Sequence, residues 1–144
     1  MPTDSSLFIH SLARFRSRFP VHQITTWNER HAYDMALALR HAAWSLQAGL
    51  AQLSVIRQGS AIVHICIQSG SDYIDLFGTG AIERRDEQLF GSDEPLIPQS
   101  FESVDDLQAA LESADYFTSY WPAAPDLAAS IQQGIMMAAE DFSL

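Results

Sequence analysis

Hydrophobic residues recur at helical spacing near the start of the chain. The first apolar stripe consists of Phe8, Leu12, Phe15 and Phe19, and it predicts a helix that ends before Pro20. Residues 20–28 follow as a predicted connector. A longer stripe over residues 32–50, with strong helix formers between its apolar positions, predicts a central helix that ends at Gly49.

Two further helices are predicted in the last third of the chain. Ser103, followed by Asp105 and Asp106, is a typical helix start, and Pro125 suits the first turn of a last helix. Residues 81–90 fit a short helix, whereas residues 91–100 are predicted as a loop from their Pro and Gly content. The inward positions expected for the two later helices are Val104, Leu107 and Leu111, and then Leu127, Ile131, Ile135, Ala138 and Phe142.

The middle of the chain favours strands. Residues 52–58, 61–68 and 73–77 are rich in β-branched and aromatic residues, and turn sequences separate them. They predict a three-stranded antiparallel meander after the central helix. The expected fold is therefore α+β: a long helix, a small antiparallel sheet, and N-terminal and C-terminal helices packed around both. A chain of 144 residues fits one domain over residues 1–144.

The stretch IVHICIQSGSDYIDLFG, residues 62–78, carries the residues with the most chemistry. Alternation along a strand places Val63, Ile65 and Ile67 on the core face, and Ile62, His64, Cys66 and Gln68 on the other. If Gln68 pairs with Tyr73, Cys66 lies opposite Asp75 and His64 lies diagonal to it. The hairpin thus predicts that His64, Cys66 and Asp75 share one face.

A histidine held by a carboxylate is the base-and-orienter half of a nucleophilic site. Cys66 is the candidate nucleophile on the same face. A thiol in mid-strand lacks the helix N-terminus that usually lowers a cysteine pKa, so we expect Cys66 to be inert and half-buried.

These residues resemble the core of papain-like cysteine hydrolases, in particular small bacterial and phage-borne proteins. The resemblance covers roughly residues 27–80: a helix with AYDMALAL, then a meander with VHICIQSGSDYIDLFG. It implies that His64 is the base and Asp75 its orienter, with Tyr73 and Gly78 completing the local pattern.

The family places its cysteine at the start of the helix, and this chain reads Asn28-Glu29-Arg30-His31-Ala32 there. No thiol or hydroxyl lies in that stretch. The resemblance therefore implies a hydrolase framework without its nucleophile, and His64 and Asp75 would be vestigial.

Charge is distributed unevenly. The net charge is -10, residues 1–57 carry six arginines, and residues 72–144 carry fifteen acids against Arg84 and Arg85. An acidic surface argues against binding to nucleic acid or to anionic lipid, and it favours a basic partner.

Other features narrow the class of protein. No apolar run reaches the roughly 20 residues of a membrane span, and the first residues lack a secretory signal, so a cytoplasmic protein is expected. One cysteine allows no internal disulfide. We expect no cofactor and no metal, although His31, Asp34 and His41 lie close together on the predicted helix.

The leading hypothesis is a non-catalytic protein-binding module. Its expected binding surface is the acidic C-terminal half or an aromatic cluster. Met136 and Met137 on the last helix suggest a contact with a partner or a second copy. Two alternatives stay open: a thiol-dependent hydrolase using Cys66, His64 and Asp75, and an acidic inhibitor or immunity-type protein. The aromatic cluster comprises Tyr116, Phe117, Tyr120 and Trp121.

Overall fold

The fold mixes helices with one antiparallel sheet, as predicted. The computed structural model describes residues 6–46, 50–88, 94–116 and 124–142. The helices are α1 (Ser6–Arg16), α2 (Val21–Arg30), α3 (Ala32–Ser45), α4 (Ala81–Gln88), α5 (Val104–Ser113) and α6 (Pro125–Ala139), which a 3₁₀ turn (Glu140–Phe142) follows. The strands are β1 (Ala51–Gln58), β2 (Ala61–Ser69), β3 (Asp72–Asp75), β4 (Gly78–Thr79) and β5 (Leu96–Phe101).

The strands lie in the order β4-β3-β2-β1-β5, and each neighbouring pair is antiparallel. One face of the sheet packs against α3, which contacts β1, β2 and β3. Helices α1 and α6 contact each other, and α6 also packs on α3. The other face carries a smaller apolar cluster of Ile56, Cys66 and Ala81, so α4 covers it. The central helix thus lies between the sheet and the terminal helices.

Helix α2 replaces the connector that was predicted for residues 20–28. That prediction was wrong because Val21, Ile24 and the two threonines of this segment have weak helix propensity, and Pro20 was taken only as a terminator. Pro20 instead occupies the N-cap of α2, where its missing N–H costs no helical hydrogen bond. Ile24 packs into the core and fixes the helix there.

Strand β5 replaces part of the loop that was predicted for residues 91–100. Pro98 lies within the strand and pairs with Ile56 of β1. A proline has no backbone N–H to donate, but β5 is an edge strand, and on its outer side the backbone needs no partner strand. The sheet therefore has more strands than the predicted meander.

A β-bulge changes which residues of β2 face the main core. The register runs from Ile56 opposite His64 to Arg57 opposite Ile62, which leaves Val63 without a residue opposite it in β1. Ile62 consequently joins Ile65 and Ile67 in the main core, and Val63 packs with the Cys66 cluster. The predicted faces of Ile62 and Val63 were wrong because simple alternation does not allow for the extra residue.

The other helices follow their sequence signals closely. The Ser103 hydroxyl accepts a hydrogen bond from the Asp106 N–H at 3.1 Å and caps α5, and α6 begins at Pro125. Three stripes were drawn too long. Leu50 is 91% exposed beyond α3, Phe19 lies beyond the end of α1, and Phe142, which was expected to face inward, lies in the 3₁₀ turn beyond α6 and is 47% exposed. No helix among the described residues is long and apolar enough to cross a membrane.

Candidate functional site

The hairpin of β2 and β3 has the predicted register. Gln68 lies opposite Tyr73, and Ser69 lies opposite Asp72, so Gly70 and Ser71 form the turn. Gly70 has a φ of 62°, a left-handed conformation that glycine adopts without a steric penalty. His64 and Asp75 share one face, and their side chains meet: His64 Nε2 lies 3.0 Å from Asp75 Oδ2.

The Asp75 carboxylate is the centre of a buried polar network. Its Oδ2 accepts hydrogen bonds from His64 and from the Asn28 amide at 3.2 Å. Its Oδ1 accepts one from Arg84 Nη2 at 2.5 Å and one from the Phe77 N–H at 2.9 Å. Two strands and two helices, α2 and α4, therefore meet at one carboxylate.

This environment stabilises the ionised form of Asp75. Burial alone would raise the pKa of the carboxyl group, but the hydrogen bond from His64 and the positive charge of Arg84, with a further hydrogen bond from Asn28, lower the pKa to about 2. Asp75 is thus a negative charge held in place by several donors at neutral pH.

Both ring nitrogens of His64 are occupied. Nε2 contacts Asp75, and Nδ1 lies 3.1 Å from Arg85 Nη2. A guanidinium has donors only, so Nδ1 must accept and Nε2 must carry the ring proton that it donates to Asp75. Arg85 is itself held by Glu29 at 2.6 Å. The ring is 2% exposed and lies beneath these groups.

Cys66 lies on the same face as His64 but is closed off from solvent. Its side chain has no exposed surface and packs with Ile56 and Ala81 beneath α4. Burial raises the pKa of the Cys66 thiol well above its usual range, and the charge of Asp75 raises it further. The thiol is fully buried, where half-burial had been expected.

A small cleft of about 170 Å³ lies above the network, between α2 and α4. Asp75 borders it, together with Asn28, Glu29, Arg84 and Arg85, whereas His64 does not. Two arginines and two carboxylates cancel in charge, so the cleft carries no net preference for an anion or a cation.

The turn after β3 is held from three helices. The side-chain Oδ1 of Asn28 accepts a hydrogen bond from the Leu76 N–H at 3.0 Å, and Arg16 of α1 donates to the Leu76 backbone carbonyl at 3.0 Å. Arg84 of α4 donates to the carbonyls of Gly78, at 2.9 Å, and of Thr79. The turn is therefore fixed relative to α1, α2 and α4 at once.

Sequence reasoning did not include Asn28, Glu29, Arg84 or Arg85 in the site. The two arginines had a signal, since they are the only arginines after Arg57 and lie in an acidic stretch. Asn28 had none, because its helix was taken as a connector.

The predicted aromatic surface falls largely outside the described residues, which end at Tyr116 and resume at Ala124. Tyr116 is 4% exposed and belongs to the core, so its side chain offers little surface to a partner. Phe117, Tyr120 and Trp121 lie outside the described residues. Met137 is 55% exposed on α6, and pairing of this helix with a second copy stays a prediction.

Asp34, which the sequence places near His31 and His41 on the central helix, has a backbone partner in the structure. Asp34 is buried, and both its oxygens accept from the Ala124 N–H, at 2.9 and 3.0 Å, while His31 Nδ1 lies 3.6 Å from Oδ2. Within residues 6–46, 50–88, 94–116 and 124–142, no group of three or more His, Cys, Asp or Glu is arranged to hold a metal ion.

Comparison with protein-family models, with curated proteins and with solved structures found no match to this chain. The resemblance to papain-like hydrolases therefore rests on the quoted residues alone.

Proposed function

We propose that the protein is a non-catalytic protein-binding module, in which His64 and Asp75 hold the fold together. The observation that carries this proposal is the engagement of both ring nitrogens of a His64 ring that is 2% exposed. A general base needs a nitrogen within reach of the proton that it removes. In this site Asp75 and Arg85 already occupy both ring nitrogens of His64.

The candidate nucleophiles support the same proposal. Cys66 is buried, with a raised thiol pKa, and a thiol reacts through its thiolate. Thr25 borders the small cleft, but its hydroxyl donates to the Val21 carbonyl of its own helix at 2.9 Å. A degenerate papain-like core, without a cysteine at the helix start, is consistent with these arrangements.

The acidic half of the chain supplies a surface for a partner. Glu102, Asp105, Asp106 and Glu112 are exposed on and beside α5, and none of them forms an ion pair with another described residue. Unpaired surface charges of one sign steer association with a surface of the opposite sign. The partner is therefore a protein with a basic face.

A second candidate function follows from the same acids. An inhibitor or immunity-type protein would place the α5 carboxylates in a basic active site of the enzyme that it blocks. The exposed, unpaired acids favour an inhibitor as one form of the binding function. An inhibitor would block the enzymatic activity of the purified partner, whereas a simple binding module would not.

The test begins with a partner isolated from an extract of the source cells and then purified. Its affinity for the protein should weaken at least about tenfold between low salt and roughly 0.5 M NaCl, because salt screens surface charges. The double variant Glu102→Gln/Glu112→Gln should weaken binding at low salt. Asp86→Asn/Glu87→Gln removes the same charge from exposed positions on α4 and should leave binding unchanged.

Salt-independent affinity, or equal losses in both double variants, would contradict binding through α5. Turnover of the partner by the protein would contradict the non-catalytic function itself.

A further inference from the structure

A second cleft, separate from the His64 network, lies where α1 ends and α2 begins. It has a volume of about 500 Å³, and Phe19, Val21, Ile24 and Phe77 form its apolar walls, with Arg16 beside them. That size falls within the usual range of ligand sites. Phe77 also borders the smaller cleft, so the held turn after β3 separates the two.

Three of the four apolar wall residues, Phe19, Ile24 and Phe77, are held by packing or by hydrogen bonds of the adjacent backbone. Phe19 lies 5.0 Å from Trp27 in an edge-on contact and 5.1 Å from Phe15, measured between ring centroids. Ile24 is buried in the core. Phe77 follows Leu76, whose N–H and carbonyl are held by Asn28 and Arg16. A preformed cleft loses less conformational entropy on binding than a mobile one.

The rim leaves apolar surface in water. Val21 is 73% exposed and Phe19 is 36% exposed, and the two lie two residues apart. Neighbouring exposed apolar residues around a concavity are typical of a binding site.

Arg16 is a cation without a carboxylate partner in this cleft. Its Nη1 donates to the Leu76 carbonyl, and it forms no ion pair with a described residue. Its neighbours on α1 differ, because Arg14 and Arg18 share Asp141 at 3.0 and 2.9 Å. Burial and the charge of Arg84 lower the pKa of Arg16, and the charge of Asp75 partly opposes them. A bound anion beside the guanidinium would favour its charged form further.

The first turn of α2, in which Val21 borders the cleft, contains N–H groups that lack a partner within the helix. Pro20 is the N-cap and supplies no side-chain cap, and the first turn contains no acid. The N–H groups of Gln23 and Ile24 donate hydrogen bonds to the Pro20 carbonyl oxygen. Those of Val21 and His22 have no acceptor among the described residues. Such N–H groups favour a negative group.

We propose that this cleft binds the C-terminal residue of a partner polypeptide, with an apolar side chain against Phe19, Ile24 and Phe77 and with the carboxylate on Arg16. The inference deepens the proposed binding function and rests on it. A free small acid would leave much of its surface in water here, since the Val21 side is open, whereas a polypeptide continues across that side.

The test is an NMR titration of the full chain, labelled with ¹⁵N, using N-acetyl-leucine as the probe. Its side chain and free carboxylate imitate a C-terminal leucine. We expect saturable shifts at the amides of Ser17, Val21, His22 and Phe77. N-acetyl-leucinamide, which lacks the carboxylate, should bind about tenfold more weakly, as expected for loss of charge-assisted hydrogen bonds. Acetate, which lacks the side chain, should bind weakly as well.

Matched variants separate Arg16 from general charge. Arg16→Gln should make N-acetyl-leucine bind no better than its amide. Arg14→Gln removes the same charge from the same helix, outside the cleft, and should change nothing. Val21→Glu places a negative charge in the first turn of α2, where it is favourable, so the fold should be kept. Its carboxylate on the rim should compete with that of the probe and weaken probe binding. This variant tests the cleft without changing Arg16.

Equal binding of N-acetyl-leucine and its amide, no shifts at the cleft, or an unchanged affinity in Arg16→Gln and Val21→Glu would overturn the proposal. Tighter binding of sodium hexanoate than of N-acetyl-leucine would overturn it in favour of a small acid. If the probe does not bind while salt-dependent partner binding through α5 persists, the proposed C-terminal site is wrong and the proposed binding function stands. Turnover of the partner contradicts the binding function, whatever the titration gives.

Discussion

Arg85 donates a hydrogen bond from Nη2 to Nδ1 of His64 at 3.1 Å, and this contact decides what the histidine can do. The arginine forces Nδ1 to accept, so the ring proton lies on Nε2 and faces Asp75 at 3.0 Å. The imidazole then has no nitrogen left for a substrate. Through these contacts His64 and Asp75 link the sheet to α4.

Removing Arg85 should therefore destabilise the fold. Arg85→Met leaves both His64 Nδ1 and Glu29 without their donor in a site where the arginine side chain is 13% exposed. We expect the free energy of unfolding to fall by roughly 1–3 kcal/mol in urea titrations. Arg14→Met is the matched control, because its ion pair with Asp141 is exposed and should contribute under about 1 kcal/mol. Equal effects of the two variants would contradict the role given to Arg85.

Asp75 should make stability depend on acid pH. Its pKa is lowered from 3.8 to about 2 in the folded protein, so folding favours the ionised form. That contribution, about 2 kcal/mol, is fully present above the unfolded pKa and is lost as pH falls toward 2. Asp75→Asn should cost roughly 3 kcal/mol at pH 7, because it leaves Arg84 without its buried carboxylate.

Urea titrations of wild type and Asp75→Asn at pH 6 and near pH 3 check this dependence. The difference between the two proteins should shrink at the lower pH. A difference that stays constant would show that the charge of Asp75 contributes nothing.

Gly134 should not tolerate a side chain. A Cβ at this position of α6 would lie 2.5 Å from Cε1 of Phe15, whose ring is buried between α1 and α6. Alanine gains about 1 kcal/mol of helix propensity, but overpacking of a core costs typically 1–3 kcal/mol. Thermal unfolding should show Gly134→Ala less stable than wild type, with partial recovery in the double variant with Phe15→Leu. A stabilised single variant would contradict the packing of α1 on α6.

The sequence predicted the local features well. The alternation of β2 and β3 with a short turn gave the pairing of Gln68 with Tyr73, and hence the contact between His64 and Asp75. The serine before two acids gave the cap of α5. Each of these signals depends on residues that are close in sequence, so the local sequence pattern predicts the feature.

The features that were missed depend on distant parts of the chain. Pro98 favours a loop in the local sequence, and it lies in a strand because β1 offers an edge for pairing. The bulge at Val63 is likewise defined only by the pairing of β2 with β1. The accessibility of His64 and Cys66 depends on α4, which covers their face from further along the chain. The site could be found from sequence, but whether it was open could not.

The reaction of Cys66 with iodoacetamide in the native protein tests the proposed non-catalytic function most directly. Cys66 is buried beneath α4, with a raised thiol pKa and with no ring nitrogen of His64 free to accept its proton. We expect native Cys66 to react more slowly than the thiol of N-acetyl-cysteine at the same pH, and to react at that rate once urea unfolds the chain. Rapid stoichiometric labelling of the native protein near pH 6, abolished by His64→Ala, would contradict the account and make Cys66 an activated nucleophile.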